Sequence, residues 1–118
     1  MSTGIAETLA YVVEQLADAE IAAAHTTADL PFPGAWVHAT RYERITFGGG
    51  ARITVTVDLV AEGHDEHTAL AQLEDMLDRA LTVITPTAPI ETDVAIELSP
   101  EVALPAFRII TTLEYTKD

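Results

Sequence analysis

The run "AWVHATRYERITFGGGARITVTVDLVA", residues 35–61, decides the fold. In its second half Ile53, Val55, Val57 and Leu59 fall on one side of an extended chain, and Thr54, Thr56 and Asp58 on the other. That alternation reads as a strand with one face in a core and the other towards water or a partner. The first half is also β-rich, and "TFGGG" between them supplies the positive φ angles that a chain reversal needs. The two halves are therefore expected to pair as a hairpin over residues 36–60. In the first half Trp36, His38, Thr40 and Tyr42 share one side and Val37, Ala39 and Arg41 the other. Two half-apolar sides suit a strand near an edge or an interface. A long hairpin of this kind wants a partner, so Trp36, Tyr42 and Phe47 are the candidate subunit-contact residues. The alternative for Trp36 is burial in the domain's own core.

Upstream, Ile5, Leu9, Val12, Val13 and Leu16 recur every three or four positions, which predicts an amphipathic helix from residue 5 to about 25 with Glu7, Glu14 and Asp18 outside. "HTTADLPFPGA" follows, where two prolines and a glycine stop helix and strand alike and make a surface connection. Downstream, Ala69, Leu70, Leu73, Leu77, Ala80, Leu81 and Ile84 mark a second helix from about Glu66 to Val83, ended by "TPTAP", with Gln72, Glu74, Asp75 and Asp78 on its outer face. Val94, Ile96 and Leu98 alternate in a third strand, and Phe107, Ile109, Thr111, Leu113 and Tyr115 line a fourth. "SPEVALPA" between these strands reads as a loop because of its prolines. The expectation is a single α+β domain over residues 1–118 in the order α-β-β-α-β-β, a four-stranded, mostly antiparallel sheet with two helices packed on it.

Composition narrows the function. The chain has 118 residues, enough for one core without staples, and no cysteine, which excludes disulfides and thiolate chemistry. Its uncharged stretches are shorter than the roughly twenty residues of a bilayer span, and "MSTGIAETLAYVVEQ" lacks the basic start of a secretory signal. Nineteen acids against six bases leave a net charge of −13, a field that repels phosphate backbones. Arg41, Arg44 and Arg52 lie around the hairpin with Glu43 interleaved, and Arg79, Arg108 and Lys117 are scattered. No basic patch for DNA or RNA is expected.

The residue types that carry chemistry assemble no site. His64-Asp65-Glu66-His67 stands at the start of the second helix, where Asp65 is a natural N-cap and Glu66 favours the positive end of the helix dipole. The two histidines are not held on one helical face as in H-E-x-x-H, and nothing aligns His25 and His38 with them. Ser99 lacks the G-x-S-x-G elbow of a nucleophile, and "FGGGARIT" leads into a strand instead of a phosphate-binding helix. The acids Glu74, Asp75 and Asp78 read as a solvated helix face, with Arg79 a partner of Asp75 at i+4. No catalytic, cofactor or metal residue is expected, and the chain reads as a structural protein and not an enzyme.

A helix, then "LPFPGAWVHATRYERITFGGGARITVTVDLVAEG", then an acid-capped helix and a late "ALPAFRIITTLEY" strand resemble the tail terminator proteins of long-tailed, siphovirus-type phages, particularly those of actinobacterial hosts. The likeness covers nearly the full length and rests on "P-x-A-W-V", the alternating strand ending in "LVA", and "L-P-A-F-R-I". It implies an α+β subunit of a hexameric ring at the neck end of the virion tail, assembled in the bacterial cytoplasm. Its implied partners are its own copies, the tail tube protein and a head-completion protein. Genomic double-stranded DNA passes through such a ring without specific binding, and no membrane is involved. The alternatives are another neck component, such as a head-completion or connector protein, or a small-ligand-binding or enzymatic α+β domain with a pocket under the proline-rich loop. If Asp65 and Glu66 serve as caps and not as ligands, thermal melts with and without EDTA will superimpose; a drop of many degrees on chelation would contradict the assignment.

Overall fold

The computed structural model describes residues 4–26, 31–44, 50–62, 66–99 and 102–115. Along them run α1 (Ile5–Asp18), β1 (Ala23–Ala24), β2 (Gly34–Arg44), β3 (Ala51–Val60), α2 (Glu66–Ala80), β4 (Glu91–Ser99) and β5 (Val102–Tyr115). The strands form one mixed sheet in the order β1-β2-β3-β5-β4, parallel only between β1 and β2. The α+β class and the hairpin of β2 on β3 are as the pattern implied. The sheet has five strands and not four, because Ala23 and Ala24 pair with Ala35 and Trp36.

The alternation in β3 builds the core. Ile53, Val55, Val57 and Leu59 are all fully buried, facing Val12 and Leu16 of α1 and Ala69, Leu73, Met76 and Ala80 of α2, with Val37, Phe107 and Ile109 beside them. Both helices therefore lie on one face of the sheet, a two-layer arrangement. β3 pairs with β5 without a break from Ala51 opposite Tyr115 to Val60 opposite Ala106, which makes these two strands the centre of the sheet. Fourteen residues of β5 at about 3.3 Å each reach roughly 45 Å, most of the molecule's 50 Å long axis.

Four local features depart from the sequence expectation, each for a physical reason. First, α1 stops at Asp18, well short of residue 25. Glu20 takes the left-handed conformation (φ 63°), its N–H bonds to Ala17 O, and Ile21 N–H bonds back to Leu16 O at 2.9 Å, closing the helix in a Schellman turn. Ile21 and Leu16 are both buried in the main core, the apolar contact that accompanies this turn. Second, α2 stops at Ala80, followed by a turn through Val83. Third, most of the segment read as a loop before the last strand is strand: β5 starts at Val102, opposite Ser99. Pro105 is tolerated within it because β3 ends opposite Ala106, and the Pro105 carbonyl accepts Ala61 N–H at 3.2 Å. Fourth, the register of β2 on β3 shifts between Ala39 and Arg41, a bulge at Thr40. Tyr42 consequently lies opposite Ile53, on the helix-covered side, and no longer shares a face with Trp36 and His38.

Gly34 marks the tightest approach. A Cβ there would sit 2.6 Å from Pro31 Cγ and within 2.8 Å of the Pro31 and Ala22 carbonyl oxygens, so the proline-rich connection closes on β1 and β2 only with glycine. Two substitutions read out this backbone account in denaturant unfolding. Glu20→Gly relieves the left-handed residue and raises stability by up to about 1 kcal/mol. Gly34→Ala lowers it by about 2 kcal/mol; a neutral Gly34→Ala or a destabilising Glu20→Gly would contradict the account.

Candidate functional site

No helix of the described residues covers the second face of the sheet, yet much of it is dry. The registers explain this. Trp36 of β2 and Arg108 of β5 both stand directly across from Asp58 of β3, and His38 lies two residues along from Trp36 on the same side. Arg108 grips the carboxylate with two donors, Nε to Oδ1 at 2.8 Å and an Nη to Oδ2 at 3.3 Å. His38 Nε2 lies 2.9 Å from Oδ2, and since an ionised carboxylate only accepts, this nitrogen carries the proton. The Trp36 ring stacks on the imidazole with centroids 3.8 Å apart and planes 19° from parallel.

The Asp58 side chain is 0 % exposed, whereas those of His38 and Arg108 keep 22 % and 31 %. Burial pushes the Asp58 carboxyl up, but the hydrogen bonds from His38 and Arg108 and the two charges outweigh it and hold the group below the usual carboxylate range. Asp58 in turn raises Arg108 through the shared hydrogen bond, with the nearby Glu91 adding to the effect. Further along the same face, Thr40 and Thr56 hydroxyls meet at 3.1 Å. Towards the other end Val60, Ile96, Leu104 and Ala106 form a small second core against Trp36 and Val94. The face therefore presents a half-exposed pair of flat rings beside a three-strand clamp closed on the Asp58 carboxylate.

The expectation that Asp58 sees water or a partner is corrected: it is the most enclosed charge among the described residues. Arg108, read as scattered, is its main partner. The available signal was a charge on each of the three long strands, with His38, Asp58 and Arg108 all on the side opposite the aliphatic one. Of the candidate contact residues, Trp36 belongs to this cluster and is half-buried, Tyr42 is 48 % exposed beyond the bulge, and Phe47 lies outside the described residues. His64 and Asp65 also lie outside them; α2 begins at Glu66, and His67 and His25 are exposed on different elements. Arg79 does pair with Asp75, at 2.9 Å, and also donates to the Glu20 carbonyl at 2.8 Å, tying α2 to the turn after α1.

Two cavities are lined by described residues. One of about 270 Å³ lies between α1, the 83–87 segment and β5, lined by Tyr11, Gln15, Ile84, Thr87, Thr111 and Leu113 among others. Its hydroxyls are partly committed, Thr111 to Thr85 O at 2.8 Å and Thr87 to Thr112 at 3.2 Å. The other, about 160 Å³, lies between α2 and the β4–β5 hairpin near Leu70, Asp93 and Phe107. Neither is lined by His38, Asp58 or Arg108, and neither lies under the proline-rich connection. Among the described residues no group of three or more His, Asp or Glu is placed to hold a metal ion. No family model matches the chain, and no curated protein matches it.

The clamp makes stability depend on acid. A carboxyl held below its unfolded value stabilises the fold above that value, about pH 3.9, and the contribution is lost as pH falls through the lower folded pKa. Melts should therefore hold down to about pH 4 and decline below it. Asp58→Asn should lose about 3 kcal/mol at neutral pH and show a shallower acid decline than the parent; an unchanged acid slope would contradict the role of Asp58.

Proposed function

We propose that the chain is a tail terminator subunit of a long-tailed phage, which forms a hexameric ring on the finished tail tube, ends its growth and offers a surface to the head's completion protein. The reading rests on the resemblance carried by residues 30–63 and 103–115. One structural observation supports it most: past the Thr40 bulge β2 continues as an exposed strand. Thr40–Arg44 are all exposed, whereas their β3 partners Ala51 and Ile53 stay buried. A long exposed strand with no outer strand partner among the described residues is suited to contact with other subunits. Tyr42 on this exposed stretch and Trp36 on the helix-free face are the proposed contact residues; in this reading the protein acts through surfaces and not through bound chemistry.

Charge sets the conditions for assembly. Six subunits of −13 oppose their own association until counterions screen them, and at physiological ionic strength charges more than about 8 Å apart are largely screened. Tenfold lower salt lengthens that distance and tips the balance towards monomer, while the tube end adds binding free energy as a template. Light scattering on a sizing column, followed by negative-stain imaging, should find rings at physiological salt or with divalent cations, and monomers at low salt. A chain that stays monomeric at high concentration and high salt, and that does not bind the ends of purified tail tubes, is not a tail terminator.

A further inference from the structure

Among the described residues the two edges of the sheet are both open along most of their length and carry opposite charge. β1 pairs only with Ala35 and Trp36, so the outer edge of β2 from residue 37 to 44 has no strand partner among the described residues. At the opposite edge β4 pairs only with β5, so among the described residues its outer side is open along nine residues. Open edges of this length invite pairing, and proteins usually blunt them with charge. Here the blunting is of opposite sign at the two ends. Arg41 and Arg44 on β2, with Arg52 beside them on β3, are three of only six cations in the chain, set against Glu43 and Glu114. β4 carries Glu91, Asp93 and Glu97, all exposed, and no cation.

We infer that β4 of one copy docks antiparallel on the outer edge of β2 of a second copy of this chain, continuing the sheet head to tail. The inference rests on the ring reading above and specifies its interface. Strand direction supports it: β2 and β5 run one way, β3 and β4 the other. Rotation about an axis along the strands brings the next β2 alongside β4 running oppositely, with the helices kept on the same side of the wall. The junction is then an antiparallel ladder, the more stable kind, and the interface is heterologous and can close. Like-edge dimers are disfavoured, since β4 on β4 sets three acids against three, and that repulsion selects the head-to-tail pairing. With four strands per copy at about 4.8 Å, six copies close a wall of about 115 Å circumference, roughly 37 Å across. That leaves an opening, as a ring through which DNA passes requires.

A charge swap tests the pairing. Arg41→Glu with Arg44→Glu makes both edges acidic; Asp93→Lys with Glu97→Lys makes both basic; all four side chains are exposed, and circular dichroism checks that each variant folds. Under conditions where the parent assembles, each variant alone should associate at least tenfold more weakly, and an equimolar mixture should regain rings of alternating copies. On the unmodified chain, hydrogen exchange should show amides of 37–44 and 91–97 slowed at least tenfold on assembly. If the parent assembles and both variants do so as well as it does, or neither edge gains protection, the edge pairing is wrong and the ring reading stands. A parent that never assembles removes both.

Discussion

A charge cannot stay buried in the middle of a sheet without partners, and Asp58 is a fully enclosed carboxylate at the centre of this one. The rest of the helix-free face is arranged around that constraint. Arg108 reaches it from β5 and His38 from β2, so three strands are fastened at one point by donors that have no equally good place elsewhere. Such a clamp need not be more stabilising than an apolar substitute, because desolvation of the charges offsets much of their attraction. What it contributes is register. A one-residue slip of β3 would turn Asp58 into the helix-covered core, among Val37, Val57 and Ile109, where no donor waits.

With register set from one face and the hydrophobic core from the other, the helices need not extend along the whole sheet. α1 ends early at its left-handed turn, and Arg79 of α2 holds that turn by bonding the Glu20 carbonyl. The strands run on towards Arg44, Ala51 and Tyr115, and among the described residues the sheet has two charged edges without a strand partner. For a chain acting alone these features are exposed surface and a risk of misassociation. In the proposed ring they are the places where neighbours meet.

Much of this was legible in the residues. The β3 alternation, the hairpin, most of the aliphatic stripe of α2 (Leu70 and Leu81 stay exposed) and the Asp75–Arg79 pair follow from spacing alone, because each depends on neighbours close in sequence. The missed features depend on contacts distant along the chain or on backbone details with weak signatures. Asp58 looked solvent-facing because alternation reports which side a residue takes, not what covers that side; the covering residues, Trp36 and Arg108, come from strands 22 and 50 positions away in sequence. The Thr40 bulge left no composition mark, so Tyr42 was placed on the wrong face. The Ala-rich stretch after Asp18 has good helix propensity, and nothing in it announces that Glu20 turns left-handed. Proline at 105 argued for a loop, whereas the ladder of β3 simply ends where the proline begins.

In the ring proposed above, this fold is completed by its own copies, edge to edge, around an opening. A cryo-electron microscopy reconstruction of the protein assembled at physiological salt tests it most directly. The account predicts a closed ring with one continuous antiparallel sheet wall, β4 of each subunit beside β2 of the next and the helices all on one side. A ring whose β2 and β4 edges face solvent, or a uniform population of monomers, would contradict it.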